Sequence, residues 1–192
     1  MGLKVGHAFR TIDECIKLSK EDVTIRTSIL DKRFLFGDRS VFDKLNERFQ
    51  KDVIAGRGAE FVAAKLQERS DRHAREGDSR YRVEPNVKDG KGGLRDLQTL
   101  FWLAKYIHGG TNLQEVLDNA AFSPADKAIF MRESRFLWTV RCHLHFLTGR
   151  PEERLSFDLQ PEMARRLGYT ERNNATAVER FMKRYFLAAK EV

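Results

Sequence analysis

The sequence predicts a mainly α-helical protein with a small α/β piece at its N-terminal end. Three observations point there. Apolar residues recur at helical spacing through most of the chain beyond residue 38. Capping residues, glycines and prolines punctuate those stretches. Strict alternation, the mark of a strand, is confined to residues 22–28 and 81–84. The expected organisation is an α/β remnant over residues 1–37 and a helical domain over residues 38–192.

The elements follow in order. Thr11-Ile12-Asp13-Glu14 fits a capping box, with a short helix running to about Lys20. Val23 and Ile25 alternate with Thr24 and Arg26, which reads as a strand over 22–28. One strand cannot close a sheet, so it needs a partner: segment 81–84 and another chain, or strands upstream. From Arg39 the pattern turns helical, with Val41, Phe42, Leu45, Phe49 and Val53 on one face. Gly56-Arg57-Gly58 breaks it, and Phe61, Val62 and Leu66 start another helix that stops near Gly77. Leu97, Leu100, Phe101, Ala104 and Ile107 mark a helix ended by Gly109-Gly110, and residues 113–117 read as a short one. Ser123-Pro124 opens a long helix to about Thr148, which Gly149 and Pro151 end. Pro161 starts a short helix that Gly168 stops, and Val178, Phe181, Met182, Tyr185 and Phe186 mark the last.

Composition narrows the class. A chain of 192 residues suits one domain, or one domain with part of another. With 41% hydrophobic and 33% charged residues it reads as globular rather than disordered. No apolar run reaches membrane-spanning length, and the first residues lack the apolar core of a signal peptide. Cys15 and Cys142 stand alone, which argues for a reducing, cytoplasmic setting without disulfides. The net charge of +7 is scattered along the helices. It suits a nucleotide or an acidic protein, and nucleic acid is not expected as a partner.

The chain is organised around YRVEPNVKDGKGGLRDLQTLFW, Tyr81 to Trp102. A brief extended segment ends at Pro85. A loop with Gly90, Gly92, Gly93, Lys88 and Lys91 then feeds a helix N-terminus. Free N–H groups, a positive helix end and two ammonium groups would make an anion cradle. The loop has neither GxxxxGK[ST] nor GxGxxG spacing, and a solvated turn fits it as well. Asp96 reads as a helix-dipole residue that could pair with Arg95 or Lys88, and Glu84 as orienting Lys88 or exposed. Trp102, Trp138, Phe101, Phe136 and Phe181 sit in apolar helical patterns and are expected in the core. His143 and His145 point in different directions on a helix and make a poor metal pair, whereas Arg141 and His145 share a face.

As a string, EPNVKDGKGGLRDLQTLFW resembles the segment that PII uridylyltransferases carry just beyond their nucleotidyltransferase core. Residues 4–38 (KVGHAFRTIDECIKLSKEDVTIRTSILDKRFLFGD) and 136–169 (FLWTVRCHLHFLTGRPEERLSFDLQPEMARRLGY) resemble two further blocks of that family. The glutamine synthetase adenylyltransferases carry a looser version, and the EPNVKDGKGG wording favours the uridylyl branch. The resemblance covers nearly the whole chain.

It implies an internal piece of a bifunctional enzyme of the DNA polymerase β superfamily. Such an enzyme transfers UMP from UTP to a tyrosine of the PII signalling protein, removes it again, and reports glutamine status to nitrogen metabolism. It also implies Mg²⁺ as cofactor, with the paired Asp-x-Asp upstream of residue 1, so this piece alone is expected to be inactive. The third metal-associated acid best matches Asp22; the other reading of Asp22 is a boundary residue with local hydrogen bonds. Lys88, Lys91, Gly92, Gly93 and Arg95, with Arg141 from the R-x-H-L-H block, are the expected nucleotide-binding residues. The alternative is a non-catalytic helical binding module for a protein, nucleotide or nucleic acid.

Overall fold

A computed structural model describes residues 6–192, and among these every regular element is a helix. They are α1 (Ile12–Glu21), α2 (Val23–Leu30), α3 (Arg39–Phe49), α4 (Gly58–Arg75), α5 (Leu94–His108), α6 (Leu113–Asn119), α7 (Pro124–Thr148), α8 (Gln160–Arg166) and α9 (Ala177–Glu191). A π-helical turn, Gln50–Ile54, prolongs α3. None of these helices is long and apolar enough to cross a membrane.

The mainly helical expectation holds; the α/β remnant does not appear. Residues 22–28, read as a strand, form α2. Asp22 ends α1 in extended conformation and its Oδ1 accepts the Ile25 N–H at 2.9 Å, so the chain restarts as a helix at once. The alternation misled because Val23 and Ile25 only half bury, while Arg26, Thr27, Ile29 and Leu30 are buried. Arg26 is a staple. Its Nε donates to Ser19 O at 2.7 Å and Nη2 to Lys20 O at 3.1 Å, the loose carbonyls at the end of α1. Its Nη1 reaches Glu60 on α4 at 3.0 Å.

Segment 81–84 is likewise no strand. Chain pairing does occur just beyond it, as a single antiparallel bridge between Asn86 and Arg154. Val87 N–H donates to Glu153 O at 2.8 Å and Leu155 N–H to Pro85 O at 2.9 Å. The Glu84 carboxylate accepts the Phe157 N–H at 2.9 Å, so it holds this crossing rather than orienting Lys88.

Helix ends follow their signals. Thr11 and Glu14 form the capping box of α1, Ser123 caps α7 with Pro124 behind it, and Gly149 ends α7 in the left-handed region. Two apolar clusters result. One gathers Ile16, Ile29, Leu30, Phe49, Val53 and Phe61 around Tyr106. The Tyr106 ring stacks on Phe61 at 4.0 Å and its hydroxyl donates to Val53 O. The other gathers Val87, Leu94, Leu97, Leu137, Val140, Leu144, Leu155, Phe181 and Tyr185. Helix α5 belongs to both, Leu94 and Leu97 to the second and Tyr106 to the first. The residues that follow the glycine-rich loop are therefore the seam of the molecule.

The aromatic expectation holds only in part. Phe181 is fully buried, but Trp138 is 40% exposed and carries Arg141 over its ring.

Candidate functional site

The glycine-rich loop is closed on itself. Asn86 Oδ1 accepts the N–H groups of Lys88 and Asp89 at 3.0 and 2.8 Å. Gly90 N–H goes to Asn86 O, Gly93 N–H to Gly90 O, Leu94 N–H to Val87 O and Arg95 N–H to Lys88 O. Gly92 N–H donates to Asp96 Oδ2 at 2.8 Å. The open N–H cradle expected at Gly92 and Gly93 is thus consumed by the loop itself. The glycines answer to packing instead. Gly92 has φ +77°, and a Cβ there would lie 2.1 Å from the Ala189 carbonyl of α9. A Cβ on Gly93 would meet three loop carbonyls within 2.9 Å.

Asp96 is the hub beneath the loop. It does not pair with Arg95 or Lys88. Its buried carboxylate faces α4, with Arg72 Nη2 at 2.5 Å, His73 Nε2 at 2.9 Å and Arg69 Nε at 3.3 Å. A buried carboxylate needs such company. Burial pushes the His73 imidazole below its ordinary pKa, against the pull of Asp96.

Next to this hub lies a polar cavity of about 690 Å³. Thr24, Thr27, Ser28 and Asp31 come from α2 and its end, Lys65, Glu68, Arg72 and Arg75 from α4, and Asp89, Arg95 and Trp102 from the loop and α5. Lys65 is almost wholly buried; its Nζ lies 2.6 Å from Glu68 and 4.7 Å from the Trp102 ring. Arg95 sits over the same ring at 5.6 Å and reaches Asp89 at 3.6 Å. Arg75 makes no ion pair among the described residues, and the buried Arg72 Nε has no hydrogen-bond acceptor. Unpaired donors beside an aromatic face suit an anionic, planar ligand.

Of the expected site residues, Arg95 alone lines this cavity. Lys91 is tied to Asp78 at 2.7 Å and holds that carboxyl below its usual range. Lys88 lies against Asp89 at 3.6 Å. Arg141 grips Glu153 with Nε and Nη2, and His145, on the same face of α7, lies 3.6 Å from Glu153. Arg141 and His145 thus brace the loop's crossing with segment 153–157, while Lys88 and Lys91 pair with carboxylates in and just before the loop. Asp22 spends its carboxylate on the α2 cap, and no group of three His, Cys, Asp or Glu side chains among the described residues is placed to hold a metal ion. Asp22 is exposed and only its Oδ1 is used, in capping α2; the metal-associated role stays an expectation for the intact enzyme. Lys65, Arg72 and Arg75 were missed, although their spacing along α4 sets them on one helical face.

Among the described residues these features define a helical protein whose seam helix borders a polar cavity walled in part by arginines. The family model described as GlnD PII-uridylyltransferase matches residues 60–192, and the chain belongs to that family. Over its whole length it is 65% identical to the bifunctional uridylyltransferase/uridylyl-removing enzyme of Phenylobacterium zucineum, covering 20% of that protein. It is 61% identical over its whole length to the enzyme of the same name from Caulobacter vibrioides, again 20% of the relative. With the Azospirillum brasilense enzyme it shares 54%, over 21% of that protein. The chain therefore spans about a fifth of the curated relatives it matches. No solved structure matches it.

Proposed function

We propose that this chain is part of a cytoplasmic enzyme that moves UMP from UTP to a tyrosine of PII and removes it again. In this reading residues 1–37 close the nucleotidyltransferase domain and residues 38–192 form the helical domain that follows. The observation that carries the reading is the cavity at the junction. Its hydroxyls and Asp31 come from the first part; its lysine and arginines come from the second, along with Glu68, Glu76 and Asp89. Arg75, Arg95 and Lys65 would bind the triphosphate as fixed positive charge, and Trp102 would flank the base. Binding there orients UTP and excludes water; this is positioning rather than bond making. Lys88, Lys91 and Arg141 act one step back, by fixing the loop on which Arg95 stands. Mg²⁺ is proposed for the intact enzyme, held mainly by residues outside this chain.

The test is a labelling assay with radiolabelled UTP, PII and Mg²⁺. The intact enzyme labels PII and the 192-residue chain alone does not. Robust labelling by the chain alone would overturn the reading.

A further inference from the structure

A second cavity, of about 600 Å³, is bordered by the end of α2 and the segment after it and shares no lining residue with the proposed UTP site. Its cations are Lys32 and Arg33 from the segment after α2, Arg39 from α3 and Lys105 from α5. Its one acid, Glu115 of α6, is already held by the N–H and hydroxyl of Thr111 at 2.8 and 2.6 Å. Two of the cations are paired, Arg39 with Asp43 at 3.0 Å and Lys105 with Asp31 at 3.2 Å. Lys32 and Arg33 have no ion-pair partner among the described residues. Lys32 donates only to the Ile29 carbonyl at 3.1 Å, and its Nζ lies 4.6 Å from the Phe49 ring. Leu30, Phe34, Phe42 and Phe49 supply an apolar wall.

A half-buried ammonium facing a second ammonium, in a concave site without a free carboxylate, lacks a counter-charge. Half-buried Lys32 and exposed Arg33 at the rim, neither paired with a carboxylate among the described residues, together suit a dianion better than a single carboxylate, and the rings suit an apolar body on it. We propose that this cavity binds a small organic phosphate, its phosphate between Lys32 and Arg33 with Lys105 behind, and its apolar part against Phe34 and Phe42. This site is separate from the UTP cavity and does not depend on that reading.

One further property sharpens the test. Burial, with Lys105 nearby, pulls the Lys32 ammonium down to about 8. A ligand that needs the charged amine binds less tightly as the pH rises through that value, and its binding raises the value in turn.

The experiment is calorimetric titration of the intact protein with phenyl phosphate, from pH 7 to pH 9. Binding at pH 7 that weakens toward pH 9 supports the proposal. Lys32→Met should weaken it about tenfold or more, as loss of a charge-assisted contact does. Lys32→Arg should keep it and flatten the pH profile, since guanidinium stays charged. Arg165→Ala, at an exposed residue of α8 that lines neither cavity, should leave it unchanged. Inorganic phosphate should bind more weakly; equal affinity would overturn the apolar half of the proposal. Absence of binding, or equal binding by Lys32→Met, would overturn it altogether.

Discussion

The carboxylate of Asp96 lies 2.9 Å from the Nε2 of His73, both side chains buried where α4 meets α5. Arg72 and the Gly92 N–H close on the same two oxygens. One carboxylate thus ties the glycine-rich loop, the seam helix and the basic face of α4. Asp96→Asn keeps the shape and removes the charge, leaving buried cationic donors unbalanced. We expect a loss of about 3 kcal/mol in chemical denaturation, the usual scale for breaking a buried pair. A change below about 0.5 kcal/mol, the scale of a surface substitution, would contradict the hub role.

His73 sets a pH dependence. Its folded pKa is held below the ordinary 6.5, chiefly by burial, so the unfolded chain binds the proton more readily. Stability is therefore fully present above about pH 6.5 and is lost as the pH falls through the lowered folded value. Thermal melts between pH 5 and pH 7.5 should show this fall, and His73→Gln should reduce it. A slope that the variant leaves unchanged would assign the effect to other groups.

Arg26 is 1% exposed and satisfies two carbonyls at the end of α1. Arg26→Ala leaves these carbonyls without their donor and empties a large buried volume. Destabilisation of about 3 kcal/mol is expected from denaturant midpoints. Asp22→Ala removes only the α2 cap and should cost about 1 kcal/mol. A larger loss for Asp22 than for Arg26 would reverse the ranking drawn from burial.

Gly92→Ala meets two obstacles at once, a left-handed backbone and the Ala189 carbonyl at 2.1 Å. The loop must shift or α9 must lift. We expect roughly 3 kcal/mol or more of lost stability, with faster amide exchange in the last turns of α9. Gly149→Ala, where a Cβ has open space and only φ is unfavourable, should cost about 1 kcal/mol.

Much of this was legible in the residues. Thr11, Ser123, Gly149 and the periodic stripes gave most helices because caps and periodicity act locally. Residues 22–28 were misread because four alternating residues cannot reveal that Arg26 turns inward to α1. The loop's composition suggested an anion cradle, yet composition cannot say where N–H groups point. Asp96 and Ala189 decide that, and they reach the loop only through the fold. Arg95 was placed at a helix start by the sequence, and in the structure it lines the junction cavity. Lys65, Arg72 and Arg75 needed the packing of α4 on α5 to become one wall with it.

The central claim is that the junction cavity holds UTP, and steady-state kinetics of the intact enzyme carrying Arg75→Ala together with Arg95→Ala tests it most directly. The account predicts a KM for UTP raised about tenfold or more, with uridylyl removal from modified PII unchanged. An unchanged KM for UTP, or equal loss of both activities, would contradict it.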